Sequence, residues 1–283
     1  MANVRRDLDP SASPLDYYGY ELRRRREGAG LTLSELGSTI FCTGSLVGQI
    51  ECAQKVPTRE FSERVDAALG AEGFFSGLVG LVLQSQLPSW FQPFAGMEAK
   101  AAYISSFQCQ VVYGLLQTEE YARALLSVGH PDEVDEQVAA RLERQRILSR
   151  EAPPPLWVVL SEAVLDQQVG GPAVMRGQLE YLLGFAKNPW VQIQVLPSSV
   201  GQHPGLMGSF TLLRFDRDPD LFYADGYDQG HMTANPQVIR ERSVSYARLQ
   251  ACALSPEDSA ELIGRVMEDR YGHQPGPDRS TVA

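Results

Sequence analysis

Thr32-Leu-Ser-Glu-Leu-Gly-Ser-Thr-Ile-Phe-Cys-Thr-Gly-Ser-Leu-Val-Gly-Gln-Ile-Glu51 decides the fold of the N-terminal part of the chain. Thr32 can cap a helix N-terminus while Glu35, three residues on, reaches back to it, which is the reciprocal pattern of a capping box. The spacing predicts a helix to about Thr39 with Leu33, Leu36 and Ile40 on one face. Phe41-Cys42 turns the chain, and Thr43 is a second cap. A helix from Gly44 to Glu51 follows, with Val47 and Ile50 inward at i, i+3. Two short capped helices behind a longer Arg-rich one form the trihelical unit that sets one helix in a DNA major groove. Pro57-Thr58 then opens a further helix, with Phe61, Val65, Ala68 and Leu69 inward.

Working outward, residues 1–14 are polar, hold Pro10 and Pro14, and read as a disordered tail. The helix-turn-helix domain is expected over 15–86, with Leu87-Pro88-Ser89 as the boundary. A second domain is expected over 90–272 and a second tail over 273–283. Within that domain β-formers predict strands at 103–112, 157–160, 191–196, 209–215 and 221–223. Helical stretches are expected at 118–128, 133–149, 172–187, 238–253 and 255–271. The fold class is therefore α+β overall: an N-terminal all-α helix-turn-helix domain followed by a larger C-terminal α+β domain.

With 283 residues, 43% of them hydrophobic, the chain can bury two cores. The apolar stretch 74–83 is interrupted by Ser76, Gly77 and Gly80, which argues against a membrane span. Asp7 and Asp9 stand where a secretory leader would be apolar, so a cytoplasmic location is expected. Cys42, Cys52, Cys109 and Cys252 form no Cys-x-x-Cys pair and have no His at ligand spacing. Neither a metal nor a cofactor is expected, and the thiols are expected to be free.

The net charge of −10 opposes non-specific binding to a polyanion. Residues 1–72 carry 9 Lys plus Arg against 11 Asp plus Glu, and the remainder 16 against 24. Positive charge is local instead: Arg23, Arg24, Arg25 and Arg26, then Lys55 and Arg59. Such a patch can hold phosphates with a strong salt dependence. A merely solvated charged face is an equal reading of the Arg cluster.

Leu22-Arg-Arg, Gly30-Leu-Thr, Glu35-Leu36, Val47, Gln49-Ile-Glu51 and Pro57 resemble the XRE (phage Cro/repressor-like) helix-turn-helix family. The resemblance makes the helix beginning at Thr43 the recognition helix. Thr43, Gly44, Ser45 and Gln49 would face bases and nearby phosphates, with Thr32 in the same DNA-facing set. Gln49 would be the base reader, since its amide can bond adenine bidentately. Lys55 and Arg23 or Arg24 would hold backbone phosphate. The chain departs from the family at Leu33, where a DNA-contacting Gln is common, and at Arg25, where an apolar residue is usual. Gly44 and Gly48 each weaken the recognition helix by about 1 kcal/mol relative to Ala. Glu51 is expected to support the fold.

Gly114-Leu-Leu-Gln-Thr-Glu-Glu-Tyr-Ala-Arg-Ala124, the region 178–197, Gly201-Gln-His-Pro-Gly-Leu-Met-Gly-Ser-Phe210 and Ala253-Leu-Ser-Pro-Glu-Asp-Ser259 resemble, in this order, the C-terminal domain of actinobacterial WhiJ-like regulators. That resemblance implies a transcription factor, often encoded beside a small partner protein and antitoxin-like in some pairs. The residues themselves offer little chemistry. The Gly-rich stretch 201–208 lacks the helix and spacing of a phosphate-cradling loop, and is a connecting loop or a ligand lid. His203 and His231, with Asp225 and Asp228, form a base or metal pattern. No nucleophile or metalloprotease motif accompanies them, so no enzyme is expected. Trp90, Phe91, Tyr103, Phe107, Tyr113 and Trp157 are expected in the core, and Thr118 as a helix cap. The expected function is a sequence-specific regulator, a homodimer on double-stranded DNA. Its C-terminal domain would sense a small partner protein or a small-molecule effector, with no role for a membrane. The alternative is an interaction module that sequesters a cognate small protein.

Overall fold

Each of the first four helices of the chain is started by a side chain at its own N-terminus. Helix α1 (Pro14–Gly28) is capped by Ser13, which accepts from the Asp16 N–H at 3.1 Å. Helix α2 (Leu33–Thr39) carries both bonds of the capping box: Thr32 Oγ1 accepts from Glu35 N at 3.2 Å, and Glu35 accepts from Thr32 N at 2.8 Å. Thr43 and Thr58 cap α3 (Gly44–Glu51) and α4 (Arg59–Leu69) in the same way. Helix α5 (Phe74–Ser85) has no cap of its own. Asp66 of α4 supplies one, taking the Phe75 and Ser76 N–H groups at 2.9 and 2.8 Å.

The computed structural model describes residues 8–129, 133–226 and 229–272, and the chain divides into two units, Met1–Ser89 and Trp90–Ala283. The first is helical around Tyr18, Leu22, Leu36, Val47, Ile50, Val65, Phe75 and Val79. Residues 1–7 and 273–283 of the expected tails lie outside the described residues. Residues 8–14, also expected as tail, form a turn (Ala12 N to Asp9 O, 3.1 Å) and then the cap and first residue of α1.

The second unit is built on a six-stranded sheet in the order β3-β2-β1-β4-β5-β6. Strands β1 (Tyr103–Gln108), β2 (Leu156–Ser161) and β3 (Val191–Leu196) run parallel. Strands β4 (Phe210–Arg214), β5 (Leu221–Asp225) and β6 (Gly230–Thr233) extend it antiparallel from β1. Side chains alternate between faces along each strand. Ile104, Leu156, Val158, Leu160 and Leu213 meet α6 (Gln92–Glu98), α7 (Glu119–Leu126), α9 (Ala163–Asp166), α10 (Pro172–Gly184) and α12 (Pro256–Tyr271). Phe107, Val159, Leu212 and Phe222 meet α11 (Pro236–Cys252) through Tyr246 and Leu249. Both faces are covered, which explains why β2 is a continuous apolar run.

The fold is the α+β arrangement expected. Strand β1 ends at Gln108, not at 112. Val112 and Tyr113 are apolar because they are buried in a loop. That loop's backbone is satisfied by side chains: Gln117 donates to Val112 O (2.7 Å), Gln145 to Gly114 O (2.9 Å), and Gln178 to Leu116 O (2.7 Å). Gln145 belongs to α8 (Val134–Gln145) and Gln178 to α10. Trp90 and Trp157, expected in the core, are each 38% exposed, while Phe107 and Tyr113 are buried. Among the described residues no helix is long and apolar enough to cross a membrane.

Candidate nucleic-acid interface

Helices α2 and α3 lie backbone against backbone. A Cβ on Gly37 would stand 2.8 Å from Gly44 N and 2.9 Å from Cys42 O, and one on Gly44 would stand 2.9 Å from Ser34 N. Gly19 does the same for α1 and the end of α3, 2.7 Å from Ile50 O. Three glycines thus set α3 closer to its neighbours than any side chain allows. Gly44, expected to face bases, is half-buried, and the side where a Cβ would stand packs against Ser34. In the turn, Phe41 has φ of 59°, a left-handed conformation that costs a non-glycine residue about 1 kcal/mol.

Thr43, Ser45 and Gln49 are exposed on α3, while Val47, Gly48, Ile50 and Glu51 are buried. Thr32, Ser34 and Lys55 are exposed beside them. The hydroxyl oxygens of Thr32 and Thr43 already accept a cap bond each. The side chains of Ser45 and Gln49 make no hydrogen bond among the described residues, and both remain available to a ligand.

The four arginines have separate jobs. Arg26 is buried and grips Glu51, Nε to Oε1 at 2.6 Å and Nη2 to Oε2 at 2.9 Å. Arg23 is half-buried and turned to the protein, donating to Glu51 O at 3.2 Å. Arg25 lies 4.3 Å over the Phe74 ring, which is how a charged residue fits a position where an apolar one is usual. Arg24 keeps 57% of its side chain in solvent and pairs with Glu21 at 2.6 Å. Glu21 is itself buried, its side chain 8% exposed, so the pair is only half in solvent. Of the two arginines expected on phosphate, Arg24 is the more exposed. The Arg24 guanidinium holds the Glu21 carboxyl below the usual carboxylate range.

Glu35 has its carboxyl lowered as well, by the Thr32 backbone N–H that it accepts. The fold therefore favours the charged form. The capping contribution is complete at neutral pH and fades as the pH falls through the lowered value. An NMR titration of the side-chain carboxyls is expected to give Glu35 a midpoint below the ordinary glutamate value of about 4.3. A midpoint at or above it would mean that the capping box does not hold this corner in solution.

The second unit contains a charged network that sequence reasoning did not single out. Glu98 is fully buried and accepts from Tyr113 Oη and from Arg144 Nε and Nη2. Burial pushes the Tyr113 phenol well above its usual range, and the Glu98 charge adds to this. Arg144 is backed by the Phe91 ring at 5.0 Å. In sequence, Arg141 and Arg144 sit among Glu143 and Gln145 and look like a solvated helix face; only the fold turns them inward. The histidines are dispersed. His203 Nδ1 accepts from Gly205 N at 3.2 Å inside its own turn, and His231 lies on β6 opposite Ala224. Asp225 accepts from Tyr223 Oη, and Asp228 lies outside the described residues. Among the described residues no three metal-ligating side chains converge.

Residues 91–265 match the family model of a domain of unknown function, DUF5753, and residues 18–73 match a helix-turn-helix domain. Neither the curated proteins nor the solved structures return a match.

Proposed function

The chain belongs to the DUF5753 family, with a helix-turn-helix domain ahead of the family domain, and from this premise we propose a transcriptional regulator of the WhiJ-like type that reads double-stranded DNA as a homodimer. The carrying observation is α3: a short capped helix whose Ser45 and Gln49 side chains are exposed and uncommitted, on a unit that matches a helix-turn-helix domain. Gln49 reads a base, and Ser45, Thr43, Arg24 and Lys55 hold the backbone. Dimer formation is supported by α5, which has no charged residue over its 12 positions and leaves Leu81 58% exposed. Such a face can pair with its own copy without like-charge repulsion. The second unit acts without catalysis, sensing a small partner protein or an effector in the cytoplasm. A cleft of about 920 Å³ over α10, floored by Val174, Gly177 and Tyr181 and edged by Glu120 and Glu180, suits a basic partner.

The test is a gel shift on the upstream region of the protein's own gene, at low and physiological salt. Gln49→Ala is expected to weaken the specific complex by about 1–3 kcal/mol, roughly 5- to 150-fold, and to relax discrimination at one base pair. Arg24→Ala is expected to weaken all sequences alike and to reduce the salt slope by about 1. A shift that both variants leave unchanged would remove α3 from the interface.

A further inference from the structure

Helix α8 carries Arg141 and Arg144 on one side, and both guanidiniums press on the loop that follows β1. A Cβ on Gly114 would stand 3.0 and 3.1 Å from two Arg144 nitrogens and 3.3 Å from Arg141 Nη1. Glycine at this position is what lets both groups approach the same backbone. Arg144 is matched, with Glu98 on two of its nitrogens and Phe91 behind it. Arg141 is not. Its Nη1 donates to Gln117 Oε1 at 2.6 Å, a neutral acceptor, and its Nε is enclosed without a hydrogen-bond partner. Arg141 makes no ion pair among the described residues, because the nearby carboxylates are spent: Glu98 on Arg144 and Tyr113, Asp225 on Tyr223. The residue is half-buried, so part of it remains reachable from solvent.

A guanidinium buried without an ion pair of its own costs stability, which the charges of Glu98 and Asp225 at longer range offset only in part. Burial, reinforced by the Arg144 charge, pushes its pKa down to about 10. The fork of an arginine fits two oxygens of one anion. We propose that Arg141, beside Arg144 over the Gly114 loop, is the seat of a small oxyanion, a carboxylate or phosphate group of the effector that the second unit senses. The inference rests on that sensing role, and it names the chemistry of the effector.

The test is thermal unfolding of the full chain, followed by tryptophan fluorescence. Trp90, Trp157 and Trp190 all lie in the second unit, so the signal reports that unit. Chloride, acetate and phosphate are compared at equal ionic strength. In the wild type, phosphate or acetate is expected to raise the midpoint about 2–4 °C above chloride. Phosphate alone would assign a phosphate group, acetate alone a carboxylate, and both any oxyanion. In Arg141→Met that difference is expected to vanish, with a midpoint in chloride at or above wild type, since an unpaired charge has gone. In Arg141→Lys, which keeps the charge without the fork, the difference should shrink. Equal shifts in wild type and Arg141→Met would show an adventitious ion only and overturn the proposal. So would no shift in the wild type. A chloride midpoint of Arg141→Met below wild type would make Arg141 a prop for Gln117 and overturn it too. If Arg141→Met does not fold, an undiminished shift in Arg141→Lys is the overturning result. No DNA is present, so failure here leaves the DNA-binding reading untouched, and a failed gel shift leaves this site untouched.

Discussion

Replacing Glu51 by alanine is expected to destabilise the helix-turn-helix unit by about 3–5 kcal/mol, a large part of the 5–15 kcal/mol typical of a domain. Glu51 and Arg26 side chains are 3% and 9% exposed and meet through two hydrogen bonds. A third Arg26 bond, Nη1 to Leu31 O at 2.7 Å, ties in the segment before α2. Truncating Glu51 leaves the enclosed guanidinium with only the half-exposed Glu27 carboxylate, at 3.5 Å, to answer its charge, and that residual cost is the source of the effect. The pair itself is worth little against an apolar pair of equal volume. The double variant Arg26→Met with Glu51→Leu is therefore expected to recover most of the loss. Arg26→Lys should not rescue function as a conservative change would, because an ammonium cannot make the forked contact. Tryptophan is absent from residues 1–89, so far-UV circular dichroism in urea, not fluorescence, follows this unit in the full chain. Loss of under about 1 kcal/mol in Glu51→Ala would show that water reaches the pair and that the two helices are held by packing alone.

The parts of this unit legible in the sequence are those whose physics is local. A cap bonds its partner three residues away, so Thr32 with Glu35, Thr43 and Thr58 announce their helices directly. Runs of β-formers likewise placed most strands of the second unit. What the sequence hides is set by distant partners. The 109–112 stretch looks like the end of a strand because Val111 and Val112 are apolar. It belongs to a loop whose backbone is satisfied from afar, by Gln178 on Leu116, 62 residues away. Strand β6 escapes notice since it is a short edge strand with exposed His231 and Met232. Arg23 and Arg24 are indistinguishable by type. Only the fold turns the first onto the end of α3 and leaves the second in water. Glycines mislead for the same reason, because propensity scores the helix alone and not what packs on it.

Gly37→Ala is the sharpest test of that last point. By propensity alone the substitution should stabilise α2 by about 1 kcal/mol. The new methyl would meet Gly44 N at 2.8 Å and Cys42 O and Thr43 C at 2.9 Å. All three are backbone atoms, and none can swing aside as a side-chain end would. Overpacking of this kind costs about 1–3 kcal/mol or more, so the clash wins and the unit is expected to lose stability. Gly77→Ala on α5 is the matched control: nothing lies within 4 Å of its added methyl, and it is expected to gain about 1 kcal/mol. Opposite signs from the same chemical change would establish backbone contact between α2 and α3 in solution. The functional consequence follows from geometry. To accept the methyl, α3 must move by tenths of an ångström relative to α2, and Gln49 moves with it. Gly37→Ala should therefore weaken specific DNA binding beyond what its folded fraction accounts for. If Gly37→Ala is as stable as wild type and binds as tightly, the close crossing is not what positions α3.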